Sequence, residues 1–188
     1  MTRFFLSFLN APALILLVAI GIAIQSSLFA SYPLLYLQPD VVLVTVIWCA
    51  LRRGFTEGGI LTLIFAEMAE IHSASPQGLF LISFMLVYLG VRGISKLFVI
   101  PHLSSLIILT MCASIFWKLS CLSVLHMMNL AGNQWRHTLV LLMPGAVMEG
   151  VCAIWLYRGL DKFDLLTLKN ERSRTALADE IQLEGEGL

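Results

Sequence analysis

The sequence predicts an all-α membrane protein with six transmembrane helices, and three observations carry this prediction. First, 59% of the 188 residues are apolar and 13% are charged, whereas soluble domains are about half apolar and about a quarter charged. Second, the mean hydropathy is +0.87, and the apolar residues lie in long runs. Third, the basic residues fall on one side of the resulting topology. This composition excludes a water-soluble enzyme, and 12 basic against 12 acidic residues exclude a nucleic-acid binder.

A membrane-spanning helix needs about 20 residues, and the chain up to residue 160 divides into six apolar runs. The first, residues 12–29, is interpreted as an uncleaved span rather than a signal peptide, with Pro12 in its first turn, where proline is tolerated. The second covers 34–51 and contains Pro39. The third covers 58–71, and the fourth covers 78–100, where Pro101 stops it. The fifth covers 103–130, and the sixth covers 138–160 with Pro144 in its first third.

These spans define a transmembrane domain over residues 1–160, followed by a polar tail at 161–188 whose end we expect to be disordered. The basic residues orient the domain. One side holds ten of them and the other holds only Arg136, while Lys118 lies inside the fifth span. Both termini are therefore predicted to be cytoplasmic. The ten are Arg3, Arg52, Arg53, Arg92, Lys96, Arg158, Lys162, Lys169, Arg172 and Arg174.

Two of the spans are short. Residues 40–51 make about 18 Å of helix and residues 58–71 about 21 Å, against a hydrocarbon core of about 30 Å. Pro39 also removes a backbone donor from the second span. Short or proline-broken segments at membrane depth usually border a cavity or lie against protein. We therefore expect a recess at the outer side of these two spans.

Ionisable residues inside the membrane are candidate functional residues. Asp40, Glu67, Glu70 and His72 are expected to converge on an acidic recess that opens outward. In the alternative interpretation, these side chains bind backbone groups freed by Pro39 or lie protonated near the interface. Lys118 and Glu149 stand at mid-depth on the fifth and sixth spans, where an isolated charge is costly. A mutual ion pair between these two residues is therefore predicted.

Polar residues elsewhere do not form a catalytic or metal-binding pattern in the sequence. No nucleophile–base set and no Cys/His spacing typical of a metal site is present, so we predict no enzyme activity, no metal and no cofactor. Arg52 and Arg53 either set the topology or grip a partner or anionic lipid. Ala19 and Ala23 form a small-residue pair one helical turn apart that permits close helix packing.

One stretch of the chain carries a family resemblance. It contains Gln38-Pro39-Asp40 before an apolar run, then Trp48, then Leu51-Arg52-Arg53-Gly54, an acid at Glu67, Ser75-Pro76-Gln77-Gly78 and Tyr88-Leu89-Gly90-Val91-Arg92. In this order and spacing the segment resembles MreD, the rod-shape-determining membrane protein of the bacterial cell-elongation complex. The match covers about residues 37–92, and the six-span plan with both termini inside also fits.

The resemblance implies a non-enzymatic protein of the bacterial inner membrane that maintains cell shape. Its direct partner would be MreC, and through it MreB, RodA and a class B penicillin-binding protein that directs lateral peptidoglycan synthesis. It also implies a bundle similar to the substrate-binding S components of energy-coupling-factor transporters, and a substrate-capture subunit of such a transporter is the alternative function. The residues that it marks are Pro39 and Asp40 at the start of span two, Trp48, Glu67, and Pro76 and Gly78 in the outer turn. It also marks Arg52 and Arg53, which would face the cytoplasmic partners.

Overall fold

The structure is a computed structural model, and it describes residues 2–28, 39–73, 75–97, 103–129 and 134–167. The described residues form six helices and no strands, as the composition predicts. In chain order they are α1 (Thr2–Leu28), α2 (Val41–Arg52), α3 (Phe55–Ile71), α4 (Leu79–Leu97), α5 (Leu103–Met127) and α6 (Gln134–Leu166). The first residues predicted for span two, 34–38, and the end of the tail from 168 on lie outside the described residues.

The short helix α2 forms the centre of the bundle. It packs against each of the other five helices, and residues 42–50 are all buried. A helix that is apolar on every face has no side suited to water and is stable when other helices surround it. Trp48, the largest of its side chains, is fully buried. The short second span, from which we predicted a recess in the membrane, is therefore a helix that is enclosed by protein.

The other helices pack around α2 in chain order, and each neighbouring pair is in contact. Glycines permit two of the closest approaches. A Cβ atom on Gly58 of α3 would lie 2.8 Å from the hydroxyl of Tyr88 on α4, and this hydroxyl donates a hydrogen bond of 2.6 Å to the carbonyl of Phe55. A Cβ atom on Gly150 of α6 would lie 2.9 Å from Met111 on α5.

The outward faces of the peripheral helices are apolar. Leu16, Ile20 and Ile24 on α1 and Val147 and Val151 on α6 are all exposed. Three helical segments among the described residues are long and apolar enough to cross a membrane: Leu9–Leu28, Leu79–Lys96 and Ser105–Met127, while Val41–Arg52 is a shorter apolar helix. Exposed apolar faces on long helices are what a bilayer solvates. The chain therefore has the character of a membrane protein.

Several helix boundaries differ from those predicted from hydropathy, and three of them bear on named residues. α1 begins at Thr2, so Pro12 lies inside the helix and the placement of Pro12 in its first turn is wrong. α3 begins at Phe55, three residues before Gly58. α6 runs across the predicted domain boundary after Leu160 and continues to Leu166. A prediction from hydropathy ends a helix at its first charged residues, whereas the helical backbone continues where those residues have partners.

Candidate functional site

The end of the bundle where α2 finishes contains a network of arginines, which we call the arginine end and define by Arg52, Arg53 and Arg92. Arg53 caps the C-terminus of α2, and its N–H donates to the carbonyl of Cys49. Its side chain is fully buried although it carries a charge. A guanidinium in such a place requires an ionic partner and several acceptors.

Residues of α1 and α6 supply these acceptors. Arg53 Nη2 lies 2.6 Å from Asp164 Oδ1 and 2.8 Å from Asn10 Oδ1. Asn10 Nδ2 donates in turn to Asp164 Oδ1 at 3.1 Å and to the Thr167 hydroxyl at 2.6 Å. The carboxylate of Glu57 on α3 lies 3.5 Å from Arg53 Nη1. One side chain of α2 therefore connects α1, α3 and α6.

A second aspartate, Asp161, lies one helical turn before Asp164 on α6 and binds two residues of α2. Its Oδ1 accepts a hydrogen bond of 3.0 Å from Trp48 Nε1, and its Oδ2 accepts one of 2.9 Å from Arg52 Nη2. The Trp48 ring also lies under the Arg53 guanidinium, 4.9 Å from its centroid. The last turns of α6 are thereby held against the end of α2.

Arg92 of α4 completes the arginine end. Its Nη1 donates to the carbonyls of Ala50 at 3.0 Å and of Arg53 at 2.9 Å. The last carbonyls of a helix have no partner within the helix and carry partial negative charge, so a buried cation stabilises them. Arg92 is itself buried, and it therefore joins α4 to the C-terminus of α2.

The expectation that both arginines face cytoplasmic partners is wrong for Arg53. Its side chain has no exposed surface, and its Nη2 binds Asp164 and Asn10 inside the bundle, while Nε and Nη1 have no hydrogen-bond partner. Arg52 differs: 42% of its side chain is exposed, and its guanidinium lies 5.4 Å from the Tyr157 ring centroid. Sequence reasoning missed Asn10, Asp161 and Asp164. The sequence offered one indication of the two aspartates: they are three residues apart and follow directly after the last apolar run.

At the opposite end of α2, Asp40 is the N-cap. Its Oδ1 accepts a hydrogen bond of 3.0 Å from the backbone N–H of Leu43, which is the usual way for an aspartate to satisfy a free donor at a helix start. The carboxyl also lies within electrostatic reach of Lys118 and Glu149. Pro39 directly precedes this cap and is half-buried.

The structure does not assemble the acidic recess predicted from Asp40, Glu67, Glu70 and His72. Glu67 is exposed on α3, and the carboxylate of Glu70 accepts a hydrogen bond from the backbone N–H of Gly78. Gly78 has a φ of +85°, a conformation that glycine adopts without strain. His72 is exposed and lies 2.8 Å from the carbonyl of Met68. Asp40, Glu70 and His72 each bind a local backbone group instead of sharing a site.

The outer turn around Gly78 is a compact hydrogen-bonded structure. The carbonyl of Pro76 accepts from the N–H of Leu79 at 3.3 Å, and the carbonyl of Gly78 accepts from Ile82 at 3.1 Å. Together with the Glu70 contact, these bonds join the end of α3 to the start of α4. Pro76 and Gly78 thus have a turn-forming geometry, as the resemblance implies.

Lys118 and Glu149, which were predicted to pair, lie together between α5 and α6. Lys118 Nζ is 3.0 Å from Glu149 Oε1, with 17% of the lysine side chain and 2% of the glutamate side chain exposed. A Cβ atom on Gly145 would lie 2.6 Å from Nζ, so a glycine at this position leaves room for the ammonium. On the same two helices, three buried polar atoms have no hydrogen-bond partner: Ser114 Oγ and Trp117 Nε1 on α5, and Glu149 Oε2 on α6.

Within the described residues, no group of three or more His, Cys, Asp or Glu side chains is placed to hold a metal ion. The chain matches no protein-family model, no curated protein and no solved structure. The geometry of the arginine end and of the Lys118 region therefore stands, with the sequence motifs, as the basis for a functional proposal.

Proposed function

We propose that this chain is an MreD-like scaffold of the bacterial cell-elongation complex, crossing the inner membrane six times with both termini in the cytoplasm. It would dock MreC directly and, through it, connect MreB filaments with RodA and a class B penicillin-binding protein. Its role would be to hold these partners in one arrangement and not to catalyse a reaction. The six-span bundle similar to an S component is part of the same proposal.

The observation that supports this proposal best is the use made of the motif residues at the arginine end. Trp48, Arg52 and Arg53 bind Asp161 and Asp164, so the signature of the resemblance falls on contacts that fix helices to one another. A buried charge pair such as Arg53–Asp164 favours the helix arrangement in which its partners meet, because an unpaired buried charge is costly. A scaffold depends on that property, because its partners recognise a fixed surface.

The helix α1 offers the most suitable face for a partner's single span. It packs mainly on α2 and α3, and its outward stripe of Leu16, Ile20 and Ile24 is exposed. Ala23 is exposed on this helix, and Ala19 is half-buried beside it. Small residues on an apolar helix face let a second helix approach closely. We therefore place the MreC span along this stripe.

Co-purification from native membranes tests the proposal. A tagged copy at its natural level is extracted in mild detergent, and its partners are identified by mass spectrometry. Recovery of MreC, RodA and the penicillin-binding protein is expected. Ala23→Phe should lower MreC recovery about tenfold without loss of folded protein, because the new ring lies on an exposed face. Val151→Phe, a similar enlargement on the exposed face of α6, is the matched control and should leave recovery unchanged.

A second function is favoured by the unpartnered atoms beside Lys118. Buried polar groups are nearly always hydrogen-bonded, and a hydroxyl of Ser114, an N–H donor of Trp117 and a carboxylate oxygen of Glu149 have no hydrogen-bond partner. A small polar solute with both donors and acceptors would satisfy them. This arrangement suits the alternative function, an S-component-like subunit that captures a solute for an energy-coupling-factor transporter.

Analysis of small molecules released from the purified protein separates the two functions. Capture predicts a stoichiometric solute that is lost in Trp117→Phe, a change that removes the indole N–H but keeps an aromatic ring against Phe84, whose centroid is 5.4 Å away. It also predicts recovery of an ATPase pair and a large transmembrane coupler. A preparation without solute, with MreC bound, rejects capture and leaves the scaffold.

A further inference from the structure

The last turns of α6 separate their charges between two faces. Asp164 is buried and paired with Arg53, and Asp161, which is half-buried, is paired with the exposed Arg52. Arg158 and Lys162 are exposed, and neither has a carboxylate partner among the described residues. Within the described residues, the helix therefore presents two unpaired positive charges on its outward side. The charges separate in this way because Asp161 and Asp164, the acids of the same turns, are already paired with Arg52 and Arg53 at the arginine end.

An exposed tryptophan lies on the same face of α6. Trp155 precedes Arg158 by three residues and Lys162 by seven, which places all three side chains on one side of a helix. The Trp155 side chain is 76% exposed. Tryptophan rings favour the level of lipid headgroups, where one part of the ring meets hydrocarbon and the N–H meets polar groups. From Trp155 to Lys162 the helix rises about 10 Å, which is close to the depth of a headgroup layer.

Gly159 leaves a gap between these side chains. It is exposed, it lies four residues after Trp155, and a Cβ atom built on it would have no neighbour within 4 Å. The backbone is therefore open to a ligand at the point between the indole ring and the two cations. A phosphate group placed there would meet two positively charged side chains while its acyl chains lie along the exposed apolar residues of α6.

We propose that Trp155, Arg158, Gly159 and Lys162 form a binding site for the headgroup of an anionic phospholipid at the cytoplasmic surface. The site rests on the membrane placement of the proposed function but does not depend on MreC or any other partner. α6 has 33 residues, about 50 Å of helix, and a hydrocarbon core takes about 30 Å. The end of α6 must therefore reach the headgroups, where the site would be in contact with lipid.

Lipid binding to the purified full chain tests the site by native mass spectrometry. The probes are phosphatidylglycerol and phosphatidylcholine, which differ in headgroup charge. Phosphatidylglycerol should bind preferentially. Arg158→Gln and Lys162→Gln should each weaken it about fivefold, since a basic residue near an anionic surface contributes about that factor. Gly159→Leu should weaken it as strongly with all charges kept. Lys96→Gln, which removes another exposed cation, on α4, should change it less than twofold.

Three results would overturn the site. Equal binding of the two lipids would mean that no headgroup charge is recognised. An effect of Lys96→Gln as large as that of Lys162→Gln would mean a general attraction of the basic surface. Unchanged binding in Gly159→Leu would mean that the gap is not occupied. The test uses the protein alone, so loss of MreC in co-purification, which would end the scaffold proposal, leaves this result unaffected.

Discussion

The buried ion pair at the arginine end gives a prediction with a matched control on the same helix. Asp164→Asn keeps the shape of the side chain but removes its charge, and it leaves the fully buried Arg53 without its ionic partner at 2.6 Å. Breaking a buried pair by removing one partner costs about 3–5 kcal/mol. Glu57 at 3.5 Å and the Trp48 ring remain near the guanidinium, so we expect the lower end of that range, about 3 kcal/mol in the free energy of unfolding.

The control is Asp161→Asn, the same chemical change three residues earlier. This residue pairs with Arg52, and the two side chains are 32% and 42% exposed, so water screens the interaction. Exposed pairs contribute about 0–1 kcal/mol. The amide oxygen of asparagine also still accepts from Trp48 Nε1. The two variants should therefore differ by at least about 2 kcal/mol, which is more than tenfold in the unfolding equilibrium constant.

The measurement is equilibrium unfolding of the purified protein in mild detergent, by titration with a denaturing detergent and circular dichroism. Adding Arg53→Met to Asp164→Asn should recover at least half of the lost stability, because the unpaired charge is then absent. Equal losses in Asp164→Asn and Asp161→Asn would refute the reasoning. So would a double variant less stable than Asp164→Asn alone, since the destabilisation would then not come from a buried, unpaired guanidinium.

Two further predictions concern helix packing and helix capping. Gly58→Ala should lower the free energy of unfolding by about 1–3 kcal/mol, because its methyl group would lie 2.8 Å from the Tyr88 hydroxyl. The control, Gly93→Ala on α4, should be neutral or slightly stabilising, because a Cβ atom there has no neighbour within 4 Å. Equal losses in the two variants would contradict the packing argument. Asp40→Ala should lower the free energy of unfolding by about 1 kcal/mol, because it removes the N-cap of α2. Asp40→Asn, which can still cap, and Glu67→Gln, at an exposed position, should change the melting temperature by no more than about 2 °C. A loss of stability in Asp40→Asn as large as that in Asp40→Ala would show that the charge and not the cap is required.

The sequence was sufficient for the helical class and for features governed by local chemistry. The two mid-depth charges, Lys118 and Glu149, had few other ways to reduce their cost, whereas the N-cap role of Asp40 was not predicted, because the second span was expected to begin before it. The burial of Arg53 was not predictable from the sequence in the same way. Counting basic residues on each side of a membrane assigns a side to Arg53 but no depth. Its depth depends on Asp164, which reaches it only because α6 continues six residues beyond the last apolar run.

The expected acidic recess did not form for a related reason. Spacing placed Glu67 and Glu70 on one helix face, but spacing does not include the backbone donors that compete for a carboxylate. The N–H of Gly78, held in place by a turn with positive φ, donates to the carboxylate of Glu70. Hydropathy was equally uninformative about α2, because a helix that is apolar on all faces does not indicate which neighbours it meets.

The environment of the motif residues bears on where partners would bind. Trp48 and Arg53 are fully buried, so a partner cannot contact them directly. They would affect binding only through the arrangement of the helices in the bundle. Variants at these positions should then lower partner recovery only in proportion to the loss of folded protein. Variants on the open face of α1, such as Ala23→Phe, should lower recovery at unchanged stability. Measuring recovery per unit of folded protein separates these cases, and an Arg53 variant that folds normally yet loses MreC would contradict the assignment of that residue to helix fixation.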